Sequence, residues 1–189
     1  MSVDIWCGDF GNNYTERNND PHGREFMWST ILSALPVMPA SILEIGANRG
    51  INLDILSGMV TSRLIGVEPN DLARKHISCE SHAGIAQSIP LPNGYAEMVA
   101  TCGVLIHIPP ADLERAYNEI YRVASRYVVC IEYFADKLEE APYRGHDGLM
   151  WKCDFGSLWL PYGMDLLDCG FFWRPETGLD NLTYWVFGK

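Results

Sequence analysis

The sequence predicts an α/β protein with a doubly wound, mostly parallel seven-stranded sheet that ends in a C-terminal antiparallel hairpin. Three observations carry this. Short apolar runs alternate with amphipathic segments from residue 24 to residue 132. The first such run stops in a glycine-rich loop. The last two, "CGFFWRPE" and "LTYWVFGK", are aromatic, β-rich and separated only by "TGLDN". Strand–helix alternation gives a parallel sheet covered on both faces, and two adjacent β-rich runs give a hairpin.

The segment up to Pro21 is rich in Asn, Gly and aromatic residues and reads as loop or a short irregular lid. "GREFMWSTILSAL" carries Phe26, Met27, Ile31, Leu32 and Leu35 at helical spacing and ends before Pro36. "SILEIG" reads as a buried strand and "INLDILSGM" as the helix after it. "RLIGVEP" is a second strand, and "NDLARKHIS" a helix with Asn70 or Asp71 as N-cap. "GIAQSI" is expected as a short third strand, and Ala96 to Cys102 as a fourth. "PPADLERAYNEIYRVA" is the clearest helix: Pro110 suits its first turn, Asp112 is an early acid, and Leu113, Ala116, Ile120 and Val123 form its apolar stripe. "RYVVCIEYF" is the fifth strand.

The 189 residues suit one domain, 1–189, with 1–21 as the lid segment and 136–160 as a loop over the ligand side. No run approaches the roughly 18 apolar residues of a membrane span. The N-terminus lacks a basic-then-apolar export pattern, so a cytoplasmic location is expected. Six cysteines, none at C-x-x-C spacing, argue against zinc and for reduced thiols, and no carboxylate cluster suggests another metal. The net charge of −10 argues against a nucleic-acid partner, whose phosphates favour a basic face.

In open α/β sheets, ligands bind beyond the carboxyl ends of the strands, so the loop after the first strand is the place to look. A dinucleotide fingerprint starting at Gly46 would need glycine at Asn48 and Ile51. A phosphate loop would need Lys and Ser or Thr after Gly50, where Ile51 and Asn52 stand. What remains is Glu44-x-Gly46-x-Asn48-x-Gly50, which resembles the first motif of class I S-adenosylmethionine-dependent methyltransferases. A phosphate-free ligand with an ammonium and a sulfonium suits such a loop. Glu44 can hold the ammonium directly or through water, small residues let the backbone approach closely, and Asn48 tolerates a left-handed backbone and can offer its amide to a carboxylate. The alternative is a plain strand-to-helix turn. Glu68 in "GVEPN" stands 18 residues after Gly50, where an acid accepts hydrogen bonds from both ribose hydroxyls; Pro69 follows it.

The stretch "GIAQSIPLPNGYAEMVATCGVLIHIPP" resembles the same enzymes around their fourth strand. The acid that commonly binds the adenine amino group falls at Ile85. The resemblance therefore implies that Ile85 packs on adenine, that the Ala86 amide or Gln87 makes the polar contact, and that Cys102, Gly103 and Val104 line the methionine part.

Nearly end to end, the chain is similar to a narrower family, the pseudaminic acid biosynthesis-associated methylases. The similarity is carried by "FGNNYTERN", "ILEIGANRGINL", "GVEPN", "TCGVLIHIPP" and "YRGHDGLMWKCDFG". It implies an S-adenosylmethionine-dependent methylase acting on a nonulosonic-acid-type sugar or sugar nucleotide, that is, a small, anionic substrate. Cys153 stands where that pattern often has a basic residue. "YRGHDGLMWKCDFG" concentrates polar groups beyond what a solvated connection needs. His146 is the first candidate for general base, with Asp147 as its orienter or as an alternative base, and His107 in reserve. Tyr143, Arg144 and Lys152, with Tyr14, Arg17 and Asn18 of the N-terminal segment, are the expected substrate contacts, the cations meeting an anionic group. A small-molecule amine or carboxylate methyltransferase and a non-catalytic S-adenosylmethionine-binding protein are the rival readings; oligomeric state is not encoded in any of these motifs.

Overall fold

The computed structural model describes residues 3–189. Two short helices, α1 (Asp4–Cys7) and α2 (Asp9–Arg17), precede α3 (Arg24–Ser33). Then come β1 (Ser41–Ile45), α4 (Ile51–Met59), β2 (Arg63–Val67), α5 (Asp71–Arg74), β3 (Glu80–His82) and β4 (Ala96–Cys102). A 3-10 turn at Leu105–His107 leads to α6 (Pro110–Val123) and β5 (Ala124–Glu132). A small ribbon pairs β6 (Glu139–Glu140) with β7 (Trp151–Lys152), and a second 3-10 turn spans Ser157–Tyr162. The chain closes with β8 (Asp165–Phe172), α7 (Arg174–Thr177) and β9 (Leu182–Gly188).

Seven strands form one sheet in the order β3-β2-β1-β4-β5-β9-β8, parallel from β3 to β5 and antiparallel from β5 through β9 to β8. The central strands β1, β2, β4 and β5 are buried on both faces, which is why they read as continuous apolar runs. Successive side chains still alternate. Leu43, Ile45, Ile65, Val67, Val99, Val128 and Cys130 face α6 and Trp159. Ile42, Leu64, Met98, Ala100, Val129 and Ile131 face α3 and α4. The order reverses between β1 and β4, so their carboxyl ends diverge and leave a crevice.

Three expectations differ from the structure. The "GIAQSI" segment is a tight turn closed by an isolated Ile85–Ser88 bridge, and the third parallel strand is the polar Glu80–His82 instead. That strand lies at the sheet edge, where Glu80 pairs with Arg63, His82 and Tyr95 rather than packing in a core. The N-terminal segment is helical, not irregular. Trp6 sits edge-on against both Phe10 and Tyr14, with ring centroids 5.3 Å apart in each case, so an i, i+4, i+8 aromatic spacing lies beneath the Asn and Gly residues. Phe26, expected on the buried stripe of its helix, is exposed, and Trp28 takes its place in the core.

Gly11 lets α1 and α2 meet. A Cβ there would stand 1.7 Å from the Trp6 carbonyl oxygen. Gly11→Ala is expected to loosen the α1–α2 contact by about 1–3 kcal/mol, the usual range for overpacking. Amide hydrogen exchange at Asn12 to Thr15 should accelerate about tenfold or more; unchanged protection would contradict this packing.

Candidate active site

A cavity of about 310 Å³ opens at the carboxyl ends of β1, β2 and β4. It is floored by the loop after β1. Gly46, at φ 67°, brings its backbone against Val104, where a Cβ would lie 2.6 Å from a Val104 methyl carbon. Asn48 is left-handed at φ 47° and Gly50 at φ 84°. The loop is braced from below, because the Gly46 N–H donates to the Val67 carbonyl at 2.7 Å.

Two acids face this cavity and differ in how they are satisfied. The Glu68 carboxylate is buried and accepts the Asn48 N–H and the Asn70 N–H, both at 2.8 Å, one on each oxygen. Burial raises its pKa and these two bonds oppose the rise. Each oxygen keeps a further lone pair. Glu44, also buried, accepts from the Asn52 amide through Oε1, while its Oε2 is buried without any partner. Burial pushes the Glu44 carboxyl up to about 7, opposed by the Asn52 bond and the Arg24 charge. Arg24, from the start of α3, donates to Asn52 Oδ1 at 2.9 Å and lines the same cavity. A cation, an amide and an acid thus form one chain in which only Glu44 Oε2 is left over. A buried carboxylate oxygen without a donor costs free energy, and an ammonium ligand is the group that relieves it.

Of the sequence-predicted cofactor residues, Glu44, Gly46, Asn48, Glu68, Pro69, Ile85, Ala86, Gln87, Cys102, Gly103 and Val104 all line the cavity. Gly50 does not; it turns the chain into α4 against Ile77. The Asn48 side chain has a second use, since its Oδ1 accepts the Thr15 hydroxyl of α2 at 2.8 Å. The Cys102 thiol is pushed up to about 11 by burial and is neutral at ordinary pH.

Tyr14 and Asn18 of the lid line the cavity, whereas Arg17, Tyr143, Arg144 and Lys152 do not. Arg17 lies over the rings of Phe10 and Tyr14, with its guanidinium 5.6 and 5.3 Å from their centroids. His107 lines the cavity; His146 and Asp147 are exposed and stand outside it, His146 edge-on to Phe10 at 5.3 Å. His107 stacks obliquely on Trp6 at 4.6 Å and Tyr143 at 4.9 Å. Its Nδ1 lies 2.6 Å from the Leu149 carbonyl, so that nitrogen carries the hydrogen and Nε2 carries the lone pair. Burial lowers the His107 pKa to about 4, against the Leu149 bond, which raises it.

Several site residues carry no sequence signal. Trp6, Arg24, Asn52, Asn70, Asp112, Arg115 and Leu149 line the cavity. Asp112 and Arg115 do so from α6, on turns the helical pattern assigns to solvent. Glu132, fully buried at the end of β5, accepts the Val104, Leu105 and Ile106 N–H groups at 3.3, 3.1 and 3.4 Å. It thereby anchors the turn that presents His107. Among the described residues no group of three or more His, Cys, Asp or Glu could hold a metal ion, and no helix is long and apolar enough to cross a membrane.

A mostly parallel seven-stranded sheet ending in an antiparallel pair, with an acid-lined cavity beyond its first strands, is the architecture of the class I S-adenosylmethionine-dependent methyltransferases, and the chain has that fold. Residues 43–131 match the family model described as a methyltransferase domain. The fold is similar to that of a Burkholderia thailandensis 1,6-didemethyltoxoflavin-N1-methyltransferase, solved with 1,6-didemethyltoxoflavin and S-adenosylhomocysteine bound. That match has a TM-score of 0.77 and 15% identity, over 99% of this chain and 88% of the other. A possible histamine N-methyltransferase from Thermotoga maritima gives a TM-score of 0.70 at 16% identity, over 100% of both chains. Magnesium protoporphyrin IX methyltransferase from Synechocystis PCC 6803, with S-adenosylmethionine bound, gives 0.70 at 10%, over 98% of this chain and 94% of the other. No curated protein matches the sequence.

Glu132→Ala would leave three backbone donors in the core without their acceptor. We expect it to lower the unfolding free energy at pH 7 by about 2 kcal/mol or more, with Glu132→Gln losing less. Denaturant titration checks this, and an alanine variant as stable as the parent would contradict the anchoring role.

Proposed function

We propose that the chain transfers a methyl group from S-adenosylmethionine to oxygen or nitrogen of a small, anionic acceptor of the nonulosonic-acid sugar type. The observation that carries the cofactor assignment is that Glu44 lines the cavity while its buried Oε2 has no partner. Glu44 would hold the ammonium of the methionyl group. Arg24, the neighbouring cation, would meet its carboxylate. Glu68 would accept the ribose hydroxyls on the lone pairs that Asn48 and Asn70 leave open. Ile85, Ala86 and Gln87 would flank the adenine, and Cys102, Gly103 and Val104 the methionine chain. The cofactor supplies an electrophilic methyl group on a sulfonium.

What this chain adds is alignment and exclusion of water. Trp6 and Tyr14 of the lid cover the cavity beside His107. His107 is neutral above about pH 5, so its Nε2 accepts a hydrogen bond from the acceptor's O–H or N–H and orients the attacking lone pair. With a pKa near 4 it does not store the proton, which leaves to solvent. His146, Asp147 and Arg144 form the outer rim of the same loop and would act only on the part of an acceptor that reaches past Tyr143.

The small-molecule reading is supported by the ligands named for the Burkholderia and Synechocystis proteins. The sugar reading rests on the end-to-end sequence resemblance, and the net charge of −10 favours a small acceptor over a nucleic acid. An amine acceptor is the second reading, favoured by a neutral histidine able to accept an N–H.

With radiolabelled S-adenosylmethionine and a panel of sialic-type sugars, sugar nucleotides and amines, one acceptor class should become labelled. For that acceptor, His107→Ala is expected to lower kcat about 10- to 100-fold with cofactor affinity intact, while His146→Ala stays within about twofold. The reverse pattern would move the catalytic role to His146.

A further inference from the structure

A second cavity, of about 410 Å³, lies beyond the ends of β5, β8 and β9. Its walls are Tyr133, just after β5; Phe171, near the end of β8; and Thr183, near the start of β9 and paired with both Glu132 and Phe171. Lys152 of the ribbon and Arg174 of α7 close it. These two cations face a single carboxylate, Asp180, which is itself engaged by the Tyr133 hydroxyl at 2.8 Å and by Arg174 at 3.8 Å. The Lys152 ammonium lies 5.8 Å from the Tyr133 ring centroid and has no ion pair among the described residues. An excess of positive charge is unusual in a chain with a net charge of −10. Phe134 and Phe171 are 46% and 56% exposed, presenting apolar ring faces beside these cations.

The ribbon strand that carries Lys152 packs on the turn that carries His107. Leu149, three residues before Lys152, lines the first cavity, and its carbonyl accepts from His107 Nδ1 at 2.6 Å. Tyr143 packs on His107, and Tyr14 and His107 both line the first cavity. The short segment from Leu149 to Lys152 therefore borders both cavities.

We infer that the second cavity is the anion subsite of the acceptor: Lys152 and Arg174 bind the carboxylate or phosphate of a ring-bearing small molecule whose ring rests on Phe134 and Phe171. Cations beside aromatic faces recognise this chemistry, because guanidinium and ammonium groups take the anion while the rings cover the apolar side of the ligand. The inference rests on the methyltransferase reading and adds to it the position of the acceptor's charge.

The test is an NMR titration of the isotope-labelled full chain saturated with S-adenosylhomocysteine. The probes are N-acetylneuraminate, its uncharged methyl ester, cytidine monophosphate and inorganic phosphate. We expect a charged probe to shift the Phe171, Trp173 and Thr183 amides, and affinity to fall about tenfold or more in Lys152→Ala and in Arg174→Ala. Lys152→Arg should retain binding, because the charge is kept. A sugar carboxylate that outbinds its ester identifies the anion as carboxylate; binding by the nucleotide and phosphate identifies it as phosphate. If no probe shifts these amides, or if the Lys152→Ala/Arg174→Ala double variant binds as tightly as the parent, the subsite is refuted. Calorimetry with S-adenosylhomocysteine separates the two levels. Cofactor binding without probe binding removes only the subsite, whereas a parent chain that fails to bind the cofactor removes the reading beneath it.

Discussion

The structure depends on one acid that the fold leaves half satisfied. Glu44 stands at the end of β1 and lines the cavity, with one oxygen on Asn52 and the other buried without a partner. Its carboxyl is held near 7, and that of Glu132 likewise, both mainly by burial. The sign of the linkage follows. A carboxyl whose folded pKa lies above its usual 4.5 stabilises the fold most at low pH, and that contribution is lost as pH rises through about 7. The two acids therefore burden the fold at neutral pH, and each has a functional reason to stay. Glu132 satisfies the turn that carries His107, and on the proposed reading Glu44 keeps an acceptor for the cofactor's ammonium.

The lid is fastened to the same loops that surround these acids. Asn48 accepts Thr15, Arg49 reaches the Thr15 carbonyl at 3.4 Å, and Asn70 donates to the Trp6 carbonyl at 2.7 Å and to Asn12 at 3.0 Å. Asn48 and Asn70 are also the residues whose N–H groups hold Glu68. One carboxylate thus couples the ends of β1 and β2, and the side chains of the same two asparagines couple those ends to α1 and α2. Asn48 in place of a further glycine is explained by this: it supports a left-handed turn and also supplies the acceptor that seats Thr15.

Much of this was legible in the sequence because it rests on periodicity and on loops of fixed chemistry. The buried parallel strands read as apolar runs, and α6 declared itself through Pro110 and its apolar stripe. The Glu44-to-Gly50 loop and Glu68 were recognisable because backbone approach to a ligand restricts residue types at fixed spacing. Three features stayed hidden. The Glu80–His82 strand is polar, because an edge strand can satisfy its side chains with partners such as Arg63. The lid helices were masked by Gly and Asn residues whose purpose is close contact and capping of other loops. Arg24 and Glu132 reach their roles only through the tertiary arrangement, one across α3 to Asn52 and the other from β5 to the turn after β4, and no local pattern encodes such pairings. The loop "YRGHDGLMWKCDFG", dense in polar residues, turned out to be divided: Tyr143 and Leu149 face the lid and first cavity, Lys152 the second, and His146 and Asp147 the solvent.

The central claim is that Glu44 awaits the ammonium of S-adenosylmethionine, and proton linkage measures it directly. An ammonium beside Glu44 must lower its pKa, so binding at pH 6 should release close to one proton. Calorimetry at that pH in buffers of different ionisation enthalpy reads this number. The account predicts such a release in the parent chain, affinity that rises by up to about tenfold per pH unit from pH 5.5 to 7, and the loss of both in Glu44→Gln. Binding that releases no proton, with affinity independent of pH in both proteins, would contradict it.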